Sequence, residues 1–369
     1  VSDAPFLIAE QRGYYRDAGI EVETIHFDSA AKQIAPLATG DLDIGSGAIS
    51  AGLFNAASRQ IDLRIVADRS RMAPGYQFMT LMIRKKLIDS GRFKSYADLK
   101  GLKIAIAAPG IGPTTILNAA AQKGGVAWKD VEKVFISYPQ QVGAFHNDVV
   151  DGSIMIEPFA TAIAKAGEGV RFSTSEDFFP GAQIALIYYG EKFASGKTDV
   201  GKRFMKAYVR AVRDYNDAIV DGKLGDSANA QEIVALLVKG LGMSAANIRE
   251  SFMHAVDPDA RPNIESIRRD IAFFKANGDL AADVVGRAGA QNERYIELMY
   301  TFQGKQVADL VDAVAKDHPW TGDFAAYTAL LRDDLTKLAA AAKEEAAANE
   351  AAMRTIEGTA RSAGITVSE

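Results

Sequence analysis

The run Ile34-Ala35-Pro36-Leu37-Ala38-Thr39-Gly40-Asp41-Leu42-Asp43-Ile44-Gly45-Ser46-Gly47-Ala48-Ile49-Ser50 decides how this chain is read. A short amphipathic helix ends at Gly40, an acidic pair turns the chain, and a small strand runs into Gly45-Ser46-Gly47. A second helix is expected from Ala48 to Ser58. Glycine permits tight turns and close backbone approach. The first turn of a helix leaves N–H groups without an internal partner. A Gly-Ser-Gly turn that opens a helix at a strand end is therefore a place for a polar ligand to dock. Junctions of this kind also serve as plain connections in α/β proteins. Here a second one, Ala107-Ala108-Pro109-Gly110-Ile111-Gly112-Pro113-Thr114-Thr115, adds weight to the ligand reading.

Working outward, the rest of the chain alternates strand-like and helix-like patterns. Pro5 to Ala18 reads as a helix, with Asp3 as its N-cap and Gly19 as its stop. Val22 to Phe27 alternates as a strand does, and Ile61 to Ala67, Gly75 to Ile83 and Leu102 to Ala107 read as buried strands. Ser95 opens a helix that ends at Gly101, and Thr114 to Lys123, Gln140 to Val150 and Phe159 to Ala166 are helical. Ile184 to Tyr189 is a strand, and Val200 to Asp221 a long amphipathic helix. Alternation of this kind predicts an α/β fold with mostly parallel sheets. The segment Leu335 to Glu357 is rich in Ala, Glu and Lys, strong helix formers, and residues 322–357 are expected to form one long helix.

Composition sets the bounds. The chain has 369 residues, enough for two domains, and 48% are hydrophobic, as in ordinary globular proteins. The net charge of −5 and the lack of a Lys/Arg block argue against nucleic acid and anionic membrane. There is no cysteine, which excludes disulfides, thiolate metal sites and cysteine nucleophiles. The opening Val1-Ser2-Asp3-Ala4-Pro5 has no charged or apolar region of the signal-peptide type. His26, His146, His254 and His318 are scattered without metal-ligand spacing. No nucleophile elbow, phosphate loop or dinucleotide fingerprint is present. No catalytic residue, metal or cofactor is expected.

The run Ala4-Pro5-Phe6-Leu7-Ile8-Ala9-Glu10-Gln11-Arg12-Gly13-Tyr14-Tyr15, then Gly19-Ile20-Glu21-Val22-Glu23, opens a series of segments over residues 4 to about 283. In order and spacing this series resembles the periplasmic substrate-binding proteins of ABC importers, in the subgroup that handles sulfonates, nitrate and thiamine precursors. It continues through Leu37 to Gly45, Met72-Ala73-Pro74-Gly75-Tyr76, Leu99 to Ala105, Val150-Asp151-Gly152 and Ile156-Glu157-Pro158-Phe159-Ala160. The family ends soon after a segment like Val256 to Asn263, whereas this chain runs on. Lys343 to Val367 is similar to the C-terminal helix of TRAP-transporter solute receptors.

The resemblance implies the type II periplasmic-binding fold, two α/β lobes around a ligand cleft. Residues 1–83 and 187–285 are expected to form one lobe, 84–186 the other, and 286–369 a helical extension with a possible role in self-association. The crossings are placed near Thr80 to Lys85 and Ala185 to Tyr189. The implied function is capture of a small polar organic solute and its delivery to an inner-membrane permease, in the periplasm and without catalysis. A ligand-sensing receptor of the same fold is the alternative. A thiamine-pyrimidine-synthase-like enzyme would need the cysteine motif that this chain lacks.

The candidate ligand residues follow from the junctions and the resemblance together. Asp3 and Phe6 stand at the first helix start. Ser46, Gly47 and Ala48 form the first junction; Gly110, Ile111, Gly112, Thr114 and Thr115 form the second. Tyr76 and Gln77 follow the Pro-Gly turn, Gln140 opens a helix, Glu157 ends a strand and Tyr188 lies on a crossing strand. Each has a structural use as well: a cap for Asp3, bracing for Glu157, strand packing for Tyr188. Helix starts favour an anion, Asp3 and Glu157 a cation or a zwitterion, and the aromatic residues a ring.

Overall fold

Apolar periodicity gathers the described residues into two main sheets, each covered by helices on both faces, and one short two-stranded hairpin. The computed structural model describes residues 2–27, 30–58 and 61–280. The expected extension over 286–369, including the helix at 322–357, lies outside the described residues.

The chain opens with α1 (Ala4–Gln11), α2 (Tyr14–Asp17), α3 (Ile34–Thr39), β1 (Ile44–Ala48), α4 (Ala51–Ser58) and β2 (Leu63–Arg71). Next come β3 (Met79–Arg84), α5 (Lys85–Asp89), β4 (Lys103–Ile106), α6 (Gly112–Lys123), β5 (Glu132–Phe135), α7 (Tyr138–His146), β6 (Gly152–Ile156), α8 (Phe159–Lys165) and β7 (Gly169–Thr174). The chain then returns through β8 (Gln183–Gly190), α9 (Glu191–Gly196), α10 (Thr198–Asp217), the hairpin β9 (Ile219–Val220) and β10 (Lys223–Leu224), α11 (Ala228–Leu241), α12 (Ala245–Glu250) and α13 (Ile264–Ala276).

One sheet has the order β1-β8-β2 and the other β5-β4-β6-β3-β7. Both are less parallel than expected. β8 runs antiparallel to β1 and β2, and β3 antiparallel to β6 and β7; only β4 is parallel to its neighbours β5 and β6. Parallel pairs need a crossover helix between strands. β4, β5 and β6 have one, whereas β3 and β8 enter their sheets directly from the other sheet. The crossings are also displaced from expectation. All of β3 is buried in the second sheet and all of β8 in the first, so the chain changes sheets before Met79 and before Gln183.

Other differences are local. The expected helix Pro5–Ala18 is broken at Gly13, whose φ of 75° ends α1 and starts α2. Val22 to Phe27 is not a strand, since no ladder partner meets it among the described residues. The segment after Ser95 closes only one 3₁₀ turn, held by a capping box with Asp98.

Burial explains why the sheets hold. α10 turns Phe204, Ala207, Tyr208, Ala211, Val212 and Tyr215 inward, the spacing of one helix face. They pack with Ile8 and Ala9 of α1 and Ile233 of α11 over the first sheet. Phe54 and Phe274, from α4 and α13, pack on its opposite face with Leu186 and Tyr188. The second sheet buries Leu81, Ile83, Ile104 and Ile154 against Ile116 and Leu117 of α6. Its other face packs on Phe145 and Ile163 of α7 and α8.

Candidate functional site

The Gly-Ser-Gly segment is strand, not turn. Gly45, Ser46 and Gly47 lie in β1 opposite Tyr188, Ile187 and Leu186 of β8. The glycines are there for space. A Cβ at Gly45 would stand 2.8 Å from both Tyr188 Cδ2 and Leu37 Cδ1, and one at Gly47 would stand 2.6 Å from Ala30 Cβ. Ser46 spends its polar groups on the protein. Its N–H donates to Gln33 Oε1 at 3.0 Å, its carbonyl accepts from Gln33 Nε2 at 3.1 Å, and its hydroxyl donates to Leu186 O at 3.3 Å. Tyr188 is fully buried and donates to Gln33 Oε1 at 3.0 Å, so it belongs to the core. Ala48 is exposed at the end of β1, and α4 starts three residues later, at Ala51.

The two sequence junctions nevertheless meet. Ser50 forms a β-bridge with Ile111, Ala51 N–H donates to Gly110 O at 2.8 Å, and Gly112 N–H donates to Ile49 O at 3.0 Å. A start of a helix from each sheet thus comes to one point. Gly112 is required by the close approach, since its Cβ would stand 2.7 Å from Ile49 Cγ2. Thr114 donates its hydroxyl to Ile111 O at 2.6 Å, closing the first turn of α6. Thr115 is buried, and its hydroxyl acts on the Asp270 carboxyl of α13, partly opposing the effect of burial there. It therefore faces α13 rather than the junction. Burial pushes the Asp270 carboxyl up to about 8.

At the start of α1, Asp3 holds the N-cap position without a side-chain cap bond. Its carboxylate instead pairs with Arg69 of β2. The Arg69 guanidinium lies 6.0 Å from the centroid of the Phe6 ring, and Phe6 in turn packs on Tyr208 at 4.9 Å. Arg69 Nε is buried with no hydrogen-bond partner among the described residues. Sequence reasoning missed Arg69. The available signal was Asp68-Arg69-Ser70-Arg71, a polar end to an apolar strand just before the Pro74-Gly75 turn.

The strand ends at this boundary are tied together by buried polar groups. Asp68 is fully buried; its carboxylate accepts from Gln183 Nε2 at 2.8 Å and Asp257 N–H at 2.9 Å. Burial pushes its carboxyl up to about 7, against the opposing effect of those donors. Gln183 Nε2 also donates to Ala185 O at 2.8 Å, and Gln183 Oε1 accepts from Asn263 N–H at 2.7 Å. Arg71 exchanges backbone hydrogen bonds with Ala255. His254, beside it, is fully buried, stacked on Tyr215 at 5.1 Å and edge-on to Phe78 at 5.5 Å. Desolvation lowers its pKa to about 3, so it is neutral.

The remaining candidates are dispersed. Tyr76 and Gln77 are half-buried in the connection between the sheets, with the Tyr76 N–H donating to Ala73 O at 3.1 Å. Gln140 is exposed, and its Oε1 caps α7 by accepting from Ser137 Oγ at 2.8 Å. Glu157 is buried with both oxygens in use. Arg171 donates to Oε1 at 2.5 Å and Thr161 N–H to Oε2 at 3.1 Å, so the residue braces α8 against β7. No cluster of potential metal ligands occurs among the described residues.

Comparison with known proteins places this geometry. The NMT1/THI5-like family matches residues 2–217. A binding protein of Brucella abortus (strain 2308) is 25% identical over 245 residues, covering 65% of this chain and 68% of the relative. The taurine-binding periplasmic protein of Escherichia coli (strain K12) is 27% identical over 203 residues, covering 55% and 60%. Among solved structures, the periplasmic aliphatic sulphonate binding protein of Escherichia coli aligns with a TM-score of 0.61 at 18% identity, covering 78% of this chain and 94% of that one. The periplasmic nitrate-binding protein of Synechocystis PCC 6803 aligns with a TM-score of 0.60 at 14% identity, covering 80% and 86%. These two likenesses establish a shared fold.

Proposed function

The chain belongs to the NMT1/THI5-like family, and on that premise we propose that it is the solute-binding component of an ABC importer. It captures a small polar organic solute with an acidic group, in the periplasm, and hands it unchanged to a membrane permease. One lobe is built on the five-stranded sheet from Met79 to Thr174, the other on the three-stranded sheet that Gln183–Gly190 rejoins. The observation that carries this reading is the meeting of Ile49-Ser50-Ala51 with Gly110-Ile111-Gly112, starts of helices from the two sheets joined backbone to backbone. Solute binding at such a boundary favours the closed arrangement by its differential affinity for closed over open. The relatives that bind taurine and sulphonates support the acidic group, and we assign Arg69, which pairs with Asp3 at the start of α1, to receive it.

A thermal-shift screen of the purified chain tests this, with alkanesulfonates, 2-aminoethanesulfonate, nitrate and small carboxylates as probes. A cognate solute at 100 times its dissociation constant stabilises the fold by about 2.7 kcal/mol. A panel without a single shift would oppose the reading.

A further inference from the structure

Helix α13 touches both lobes and is held to each by a different kind of contact. Toward the three-stranded lobe it is anchored by apolar burial. Ile267 and Phe274 pack with Phe54, Leu186 and Tyr188, and Asn55 Nδ2 donates to Asp279 O at 2.9 Å. Toward the five-stranded lobe the contacts are polar or ring-edged. Trp128 Nε1 donates to Asn277 Oδ1 at 2.9 Å, and the Trp128 and Phe273 rings meet edge-on at 5.3 Å. Arg269 donates to Pro180 O at 2.6 Å, and its guanidinium lies 4.1 Å from the centroid of the Phe179 ring. Lobe movements use interfaces of this second kind, where packed helices slide or part.

Asp270 sits on that second side without a counter-charge paired to it among the described residues. It is 1% exposed, and neither carboxyl oxygen has a hydrogen-bond partner among those residues. The Thr115 hydroxyl, in the first turn of α6, acts on it from across the interface. α6 carries one charged residue, Lys123 at its far end, which donates to Asp177 O at 2.6 Å. α4, also packed on α13, carries none. The charges beside Trp128 are Lys129, Asp130 and Lys133, the last donating to Trp128 O at 2.9 Å. Arg269, next to Asp270 in the chain, is the charge that acts on the carboxyl, and its guanidinium is engaged by Pro180 and Phe179. α6 is also the helix whose start, Gly112, is bonded to Ile49 of the other lobe. One helix thus meets the candidate site at its first residue and Asp270 within the same turn.

We infer that the α13–α6 face is a proton-held latch between the lobes: protonated Asp270 keeps the face packed and the junction joined, and ionised Asp270 parts it and weakens solute binding. The latch is independent of the solute-binding reading, and only its effect on affinity rests on that reading. An ionised carboxylate buried without a partner is far more costly than the neutral acid. Burial holds the Asp270 carboxyl at about 8 in the packed arrangement. Where α6 and α13 part, water reaches the group and its pKa returns toward the ordinary 3.8. The packed arrangement therefore binds the proton more tightly. Its advantage is complete where both arrangements are protonated and is lost as pH rises through about 8. A solute that favours the joined lobes takes up a proton on binding, so its affinity falls over the same range.

Fluorescence of a Trp320→Phe chain tests the latch without any solute, because Trp128 is then the single tryptophan. Between pH 6 and 9 its emission is expected to move reversibly to the red while far-UV circular dichroism stays unchanged. Asp270→Asn keeps the face neutral and should abolish the shift, which separates Asp270 from Asp68, whose carboxyl titrates at about 7. Thr115→Val decides if that variant does not fold. It removes a hydroxyl that favours the ionised form, so the midpoint should rise. Four results overturn the latch: no shift in the parent chain, the same shift in Asp270→Asn, a midpoint in Thr115→Val that fails to rise, or a shift that accompanies loss of circular dichroism. Calorimetric titration with ethanesulfonate, ionised throughout this range, tests the coupling to the site. Its affinity should fall roughly tenfold from pH 6 to 8.5 in the parent chain and stay within about threefold in Asp270→Asn. Equal pH dependence in the two chains overturns the coupling. If ethanesulfonate binds at no pH while the fluorescence shift is present and is lost in Asp270→Asn, the acidic-solute reading fails and the latch stands.

Discussion

Replacing Gly45 by alanine tests whether the Gly-Ser-Gly segment is packed strand, as the structure has it, or a free turn. Gly45 lies opposite Tyr188 in the β1–β8 ladder. A Cβ there would come to 2.8 Å from Tyr188 Cδ2 and 2.8 Å from Leu37 Cδ1, where carbon atoms rest at about 3.5–4.0 Å. Neither neighbour can retreat easily. Both are fully buried, and the Tyr188 hydroxyl is held by Gln33 at 3.0 Å. Overpacking of a core costs about 1–3 kcal/mol, and a clash against a ring in mid-sheet belongs at the upper end. With a urea m-value of about 3 kcal/mol/M, the unfolding midpoint should fall by about 1 M. Gly143 of α7 supplies the contrast, because nothing lies within 4 Å of its Cβ position. Gly143→Ala should stabilise by about 0.5–1 kcal/mol through helix propensity alone. In a Tyr188→Val background, Gly45→Ala should cost clearly less than in the wild type, since the ring is gone and only the Leu37 contact remains. Equal midpoints for wild type and Gly45→Ala would refute the packing argument.

Three further outcomes are expected. Arg171→Leu strands the Glu157 carboxylate, 1% exposed, without its counter-charge; a loss of about 3–5 kcal/mol in urea unfolding is expected, partly recovered by adding Glu157→Gln. Asp270 has a folded pKa of about 8 against an ordinary 3.8, so the folded state holds this proton more tightly than the unfolded chain. Its stabilising contribution is complete below about pH 4 and is lost as pH rises through about 8. Asp270→Asn should remove that loss, and thermal melts from pH 5 to 9 should flatten relative to wild type; parallel curves would refute it. Thr114→Ala removes a hydroxyl that donates to Ile111 O at 2.6 Å, so melting should report about 1 kcal/mol lost, while solute affinity measured by titration stays within about twofold.

The sequence was most legible where periodicity and glycine placement act locally. The amphipathic face of α10, the apolar strand β4 and the opening of α6 at Gly112-Pro113 follow from spacing and from the fit of proline to a first helical turn. The two glycine-bearing junctions stand out in the sequence as segments, although one of them is a strand end and their contact rests on residues far apart in the chain. What local patterns could not carry was the role of a glycine set by a distant ring. Gly45 reads as a turn residue until Tyr188, far along the chain, is laid across it. Strand direction was hidden for the same reason, because β3 and β8 run against their neighbours by virtue of coming from the other sheet. Arg69 escaped notice because its partner Asp3 is distant in sequence, and a lone arginine in a polar strand end carries no pattern. Glu157 and Tyr188 were legible as residues with a task, but only the positions of Arg171 and Gln33 show that the task is structural.

The central claim is capture of a solute without conversion, and calorimetric titration with recovery of the solute tests it most directly. The chain is titrated with the best probe from the thermal-shift panel, and the bound solute is then released by denaturation and identified by mass spectrometry. The account predicts one solute bound per chain, recovered chemically unchanged after prolonged incubation, with affinity lost in Arg69→Gln. Conversion of the solute, or binding of full strength in Arg69→Gln, would contradict it.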